Sequence, residues 1–222
     1  MRRFLGLLIA AITVALLPAL PAQGATPTAH QPILFVHGYN SNASTWNDML
    51  AAFRGVGYTD GELFAISYSF NQSNVTTAQQ LQTKVEEIRQ QTGWADIDII
   101  SHSMGSLSSR YYLKNLGGQS LVDAWVSLAG ANHGTSTARF CGAISCKEMR
   151  PSSSFLAALN AGDETPGPVR YRTWWSPCDT TINPDSSVSL TGAINTKTAC
   201  LGHSVLLSDP TVFDQGEIFV GS

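Results

Sequence analysis

The sequence predicts an α/β fold: a mostly parallel central sheet with helices on both faces. Two observations carry this expectation. Short β-rich apolar runs alternate with stretches of helical period from residue 32 to residue 128, and that alternation calls for parallel strands joined by right-handed crossovers. Hydrophobic residues make up 43% of the 222 and charged residues only 13%, enough for one well-cored domain. No internal repeat or low-complexity linker interrupts the pattern, so residues 26–222 read as a single domain.

The elements follow in chain order. Residues 1–25, "MRRFLGLLIAAITVALLPALPAQGA", carry Arg2 and Arg3, an apolar stretch, then small residues and prolines. That is the layout of a signal peptide, with cleavage expected between residues 22 and 25. A membrane anchor is the competing reading, but the apolar run is short and Pro18 and Pro21 break it. "PILFV" (residues 32–36) reads as a buried strand. Trp46, Met49, Leu50 and Phe53 then recur on one helical face, with Ser44 or Thr45 available as a cap. Residues 63–68 read as a second strand, 77–91 as a helix, and 97–100 as a third strand. Residues 103–115 read as its helix, ended by Gly117-Gly118, and 121–128 as a fourth strand. A long polar loop is expected over 130–150, and a short helix opened by Pro151. A fifth strand is expected over 169–175, one more near 188–190, and a terminal helix from Pro210.

Composition narrows function. No strongly basic stretch is present and the formal charge is −3, which argues against nucleic acid as a partner. An exported chain with four cysteines, Cys141, Cys146, Cys178 and Cys200, is expected to form two disulfides. Three pairings exist and the sequence does not choose among them; the expectation is Cys141–Cys146 and Cys178–Cys200. Zinc is disfavoured, since neither C-x-x-C nor H-x-x-x-H accompanies the cysteines. No metal or organic cofactor and no stable protein partner is implied.

The chemistry centres on "IISHSMGSL", where the third strand meets its helix. Ser101-x-Ser103-x-Gly105 is close to the G-x-S-x-G elbow, in which a sharp strand-to-helix turn exposes a serine. Helix capping is the plain alternative for Ser103. As a nucleophile Ser103 needs a base and the base an acid, in the chain order Ser, Asp or Glu, His. That order leaves His133 and His203. His203, in the glycine-flanked "CLGHSVLL", is the expected base, because His133 comes too early for a separate acid-bearing strand before it. Asp179, just past the fifth strand, is the expected acid, with Asp185 as the fallback. The amides of Met104 and of Tyr39, in "VHGYN", are the expected oxyanion donors. His37 is expected to hold its loop and His102 to pack. His133 is either a loop histidine bonded to backbone or a substrate contact.

The segments "PILFVHGYN", "IISHSMG", "SLAGANHGT", "WWSPCD" and "LGHSVLL" together resemble the small secreted bacterial triacylglycerol lipases, the class 2 lipases among the α/β-hydrolases. The resemblance implies a minimal α/β-hydrolase fold without a large lid. It also implies a Ser103–His203–Asp179 triad with the Tyr39 and Met104 amides, no cofactor, and a lipid or ester substrate, with transient binding at a lipid–water interface. Ser101 departs from the usual alanine or glycine, and the two cysteine pairs are absent from the smallest members. Phe140, Ala143 and Ile144, apolar within a polar stretch, are expected to touch the acyl chain or else to pack their loop. An esterase for short soluble esters, or a polyester or cutin hydrolase, would use the same machinery. A silent binding protein on the same fold is the rival from another class.

Overall fold

The computed structural model describes residues 28–221, so the expected signal peptide lies outside the described residues. Six parallel strands form one sheet in the order β2-β1-β3-β4-β5-β6. They are β1 (Ile33–Val36), β2 (Leu63–Ile66), β3 (Ile97–His102), β4 (Val122–Leu128), β5 (Arg170–Trp175) and β6 (Ile194–Lys197). The main helices are α1 (Asn47–Gly55), α2 (Asn74–Thr92), α3 (Gly105–Asn115) and α6 (Pro210–Val220); α4 (Ile144–Glu148) and α5 (Ser154–Leu159) are short. This is the parallel α/β arrangement expected, and no large lid is present among the described residues. None of their helices is long and apolar enough to cross a membrane.

The chain runs outward from β1 to β2, then back past β1 to β3. With right-handed crossovers, that reversal sends α1 to one face and α2 and α3 to the other. Along β1 the side chains alternate: Ile33 and Phe35 join the core with Trp46, Met49, Phe53 and Val212, while Leu34 and Val36 join Leu81, Val85 and Ile88. One irregularity interrupts β4. Ile97 pairs with Val122 but Ile99 with Trp125, so β4 carries an extra residue, and Val122 and Trp125 face the same layer. The buried Asp98 carboxylate accepts the Ala124 amide there at 2.9 Å. Burial drives its carboxyl well above the ordinary range.

Several boundaries differ from expectation. A 3-10 turn, Ala43–Trp46, precedes α1, and Asn42 caps it rather than Ser44 or Thr45. Ser153, not Pro151, opens α5, accepting the Leu156 amide. The expected loop over 130–150 contains a 3-10 turn at Ser136–Phe140 as well as α4. The last strand falls at Ile194–Lys197, while Val188 closes a 3-10 turn and packs inside. The disulfides join Cys141 to Cys146 and Cys178 to Cys200.

Candidate active site

The strand order reverses between β1 and β3, and in open parallel sheets the crevice beyond the carboxyl ends of such strands is where ligands bind. His37 and Gly38 follow β1 there, and Ser103 follows β3. Ser103 has φ +53°, left-handed for a residue with a side chain, a conformation that costs on the order of 1–3 kcal/mol. Its surroundings fix it: Ser103 N donates to Leu128 O at 3.0 Å, while Ser103 O accepts from Ser106 N at 3.1 Å and Ala131 N at 3.3 Å. A Cβ on Gly105 would lie 2.5 Å from both the Val36 and His37 carbonyl oxygens, so only glycine lets α3 start this close to β1. Position 101 tolerates serine because its hydroxyl has partners. Ser101 Oγ donates to Val126 O at 2.8 Å and lies 3.0 Å from Ser106 Oγ, which lies 2.9 Å from Ser127 Oγ. A buried serine network thus underlies the turn.

Two amides beside Ser103, those of Tyr39 and Met104, have no hydrogen-bond acceptor among the described residues. Met104 caps α3, where the helix dipole leaves partial positive charge. The loop carrying Tyr39 is held by His37. Its Nδ1 donates to Gly38 O at 2.8 Å, its Nε2 accepts from Tyr68 N at 3.3 Å, and its ring stacks on Tyr68. Burial lowers its pKa, keeping it neutral.

His203 Nδ1 lies 2.7 Å from Asp179 Oδ2. Asp179 Oδ1 accepts the amides of Thr181 at 2.8 Å and Ile182 at 3.1 Å. Burial alone would raise the Asp179 carboxyl, but the hydrogen bond and charge of His203, with those two amides, hold it below its ordinary value. An ionised carboxylate requires Nδ1 of His203 to be the donor, which leaves Nε2 free to accept a proton. Asp185 has no part in this pair; its carboxylate accepts Ser186 N. His102, the neighbour of Ser103, meets His203 from the other side: its Nε2 is 3.2 Å from His203 O and the ring centroids are 4.6 Å apart. Burial first, then His203, pushes the His102 pKa down to about 3, so it donates as a neutral ring. No hydrogen bond joins Ser103 Oγ to His203 Nε2 among the described residues. Such contacts often tighten only when substrate binds.

Side chains that sequence reasoning did not single out hold these loops. Ser176 Oγ donates to Leu201 O at 2.6 Å and accepts from Leu201 N and Cys178 N. It therefore knots the Asp179 loop to the His203 loop beside the Cys178–Cys200 bridge. Thr135 Oγ1 donates to Thr181 O at 2.6 Å and accepts Asn183 N. No local pattern announces either role, because the partners that tie the loops together, Leu201 for Ser176 and Thr181 and Asn183 for Thr135, are distant in sequence.

Ser103 opens into a cavity of about 540 Å³, lined among others by Tyr39, Thr135, Phe140, Ala143, Met149 and Ile182. Phe140 and Ala143 are at this wall. Ile144 is not; it points outward, 56% exposed. His133 also lies off the cavity wall. Its Nε2 is 2.6 Å from Glu164 Oε1 and its amide donates to Ser187 O, so its partners are Glu164 and backbone rather than the cleft. Among the described residues no three His, Cys, Asp or Glu side chains converge as a metal site requires.

A family profile described as Lipase (class 2) matches residues 30–200. The fold is similar to that of Bacillus licheniformis lipase BlEst2 in its mature form: TM-score 0.77, 18% identity, 88% of this chain and 94% of that one. It is also similar to Aspergillus fumigatus lipase B, with TM-score 0.68, 16% identity, 83% of this chain and 51% of that one. A third likeness is to the metagenomic carboxyl esterase MGS0156, at TM-score 0.65, 14% identity, 83% of this chain and 68% of that one. At these identities the structural likeness is one of fold.

Proposed function

The chain belongs to the class 2 lipase family, and from that premise we propose that it is an exported serine hydrolase of lipid esters, working through Ser103, His203 and Asp179. The observation that carries this reading is the Asp179–His203 hydrogen bond, formed between two loops 24 residues apart and lying against the residue next to Ser103. The steps proposed are those of serine acyl transfer. His203 Nε2 removes the Ser103 proton as Oγ attacks the ester carbonyl carbon. The negative charge that grows on the carbonyl oxygen meets the Tyr39 and Met104 amides, which need no reorganisation to receive it. His203 then protonates the departing alcohol, leaving an acyl-serine, and Asp179 stabilises the imidazolium throughout. Water, deprotonated by His203, releases the acid by the same path. Two disulfides support an oxidising compartment, in keeping with the leader-like residues 1–25.

The lipid preference rests on the cavity, whose wall carries Phe140, Ala143, Met149 and Ile182 beside Ser103. Rates on glycerol and nitrophenyl esters of increasing acyl length test it. Activity confined to the shortest soluble esters would make the chain an esterase instead. Ser103→Ala is expected to lose about 10⁴-fold in rate or more with its circular dichroism unchanged, and a serine-reactive phosphonate should label only the parent. Asp179→Asn should be far more damaging than Asp185→Asn. Retention of about a tenth of the rate by Ser103→Ala, or a reversed ranking of the two acids, would reassign the site.

A further inference from the structure

The loop that carries Tyr39 is held before that residue and after it. His37 fixes the chain on one side, and Ala43 N donates to Ser67 Oγ at 3.0 Å on the other. Between them the backbone of Tyr39, Asn40 and Ser41 forms no hydrogen bond among the described residues, and no residue from Tyr39 to Thr45 is buried. The loop nevertheless runs tight against the elbow: a Cβ on Gly38 would lie 2.8 Å from Ser103 Cβ. An amide that receives charge beside Ser103 needs a fixed place, and here neither burial nor backbone bonding supplies it.

The Tyr39 side chain has two contacts that do. Its hydroxyl lies 3.0 Å from Cys141 Sγ; a disulfide sulfur carries no hydrogen, so the hydroxyl is the donor. Its ring meets the Phe70 ring edge to face, with centroids 5.1 Å apart. Both partners belong to one tied block. Cys141 is bridged to Cys146, and the adjacent Ser145 Oγ donates to Phe70 O at 2.6 Å. Arg150 donates to Cys141 O at 2.9 Å and to Ala138 O at 3.3 Å. Glu148 accepts from Ser73 Oγ at 2.6 Å and Asn74 N at 2.7 Å, which fixes the block to the start of α2. The hydroxyl thus ties the loop after β1 to a segment 102 residues away.

We propose that the Tyr39 side chain is a positioning residue: moored to the Cys141–Cys146 bridge, it sets its own backbone amide in place for the oxyanion. This role rests on the ester-hydrolase reading, in which that amide receives the charge on the carbonyl oxygen. The mooring acts through a group that meets its charge only in the transition state, so its loss lowers turnover and leaves substrate binding as it was. It also gives the Cys141–Cys146 bridge a part distinct from that of the wall it forms. A wall residue alters the fit of long acyl chains, whereas a displaced amide slows every ester alike.

Tyr39→Phe tests it, because it removes only the hydroxyl and keeps the ring against Phe70. On nitrophenyl acetate and nitrophenyl octanoate alike, kcat should fall by about tenfold with KM unchanged, less than the roughly 100- to 1000-fold that follows outright loss of an oxyanion donor. Melting should stay near the parent's. Cys141→Ala with Cys146→Ala should lower kcat on the acetate by a similar factor, and adding Tyr39→Phe to that variant should cost little more, since both changes release one tie. The rate at which a nitrophenyl phosphonate labels Ser103, located by peptide mapping, should fall in step with kcat. A parent that is not labelled at Ser103 would overturn the hydrolase reading and this role with it. A labelled parent whose Tyr39→Phe variant keeps its kcat, or raises KM on the octanoate alone, would overturn the mooring and leave the hydrolase reading standing. Losses that multiply in the combined variant would do the same.

Discussion

His102 shows how much a single side chain can settle here. It stands beside Ser103 and under His203, donating to the backbone of the histidine loop while staying uncharged. A folded pKa of about 3 against an unfolded value near 6.5 makes this ring a pH-dependent contributor to stability. Below about pH 6.5 the unfolded chain takes up a proton that the folded chain refuses, so the contribution is full above that pH and is lost as pH falls toward 3. His102→Gln keeps a donor but cannot titrate. The variant should melt below the parent at pH 7, and the gap should narrow or reverse by pH 4.5, by up to about 2–3 kcal/mol. Melting curves at several pH values decide it, and a gap independent of pH would remove His102 from this account. The same neighbourhood explains a feature that the motif left open. Position 101 holds serine rather than glycine because Val126 O and Ser106 Oγ give its hydroxyl partners, whereas position 105 admits no side chain at all.

Among the elements, those that bury a face were legible and those that do not were not. Along α2 the apolar residues Leu81, Val85 and Ile88 recur with the helical period, and β1 is an unbroken apolar run because both of its faces are buried. The edge strand β6 has three of its four residues exposed, so it carries no alternation, and the apolar Val188 and Leu190 drew the expectation to a buried turn and the residues after it instead. A five-residue helix such as α4 is too short to show a period. The terminal helix α6 was legible from Pro210; the structure adds Asp209, which caps it by accepting Val212 N. Its Gly216 was not explained by sequence. A Cβ there would meet nothing within 4 Å, and the space beside it is bounded by Met49, Phe53, Ile100 and Val126. Gly216→Ala should stabilise by about 1 kcal/mol and raise the melting temperature by about 2–4 °C. A lower melting temperature would mean that the helix needs glycine to approach the sheet.

Over the whole molecule, the candidate site is an agreement among loops from five strand ends, and two ties hold the Asp179 and His203 loops together. One is the Cys178–Cys200 bridge, which in the chain-entropy model stabilises by roughly 3 kcal/mol. The other is Ser176 with its bonds to Leu201. Removing the bridge by Cys178→Ala with Cys200→Ala should therefore leave the fold standing while ester turnover falls first, because a shift of about 1 Å in a reacting group can cost on the order of 100-fold. Circular dichroism and rate measured over one temperature ramp test this; loss of both together would mean that the bridge serves only global stability. By itself the sequence determined the alternation of strands and helices, the small-residue turn around Ser103 and the loops after β1 and β3. Each of these depends on the backbone and burial needs of residues near one another in the chain. Only the tertiary structure decided that His203 bonds Asp179 and not Asp185, that His133 turns to Glu164, and that Phe140 lines the cavity while Ile144 faces out. Those pairings join residues far apart or split close neighbours, and they depend on strand order and loop anchoring that no local pattern encodes.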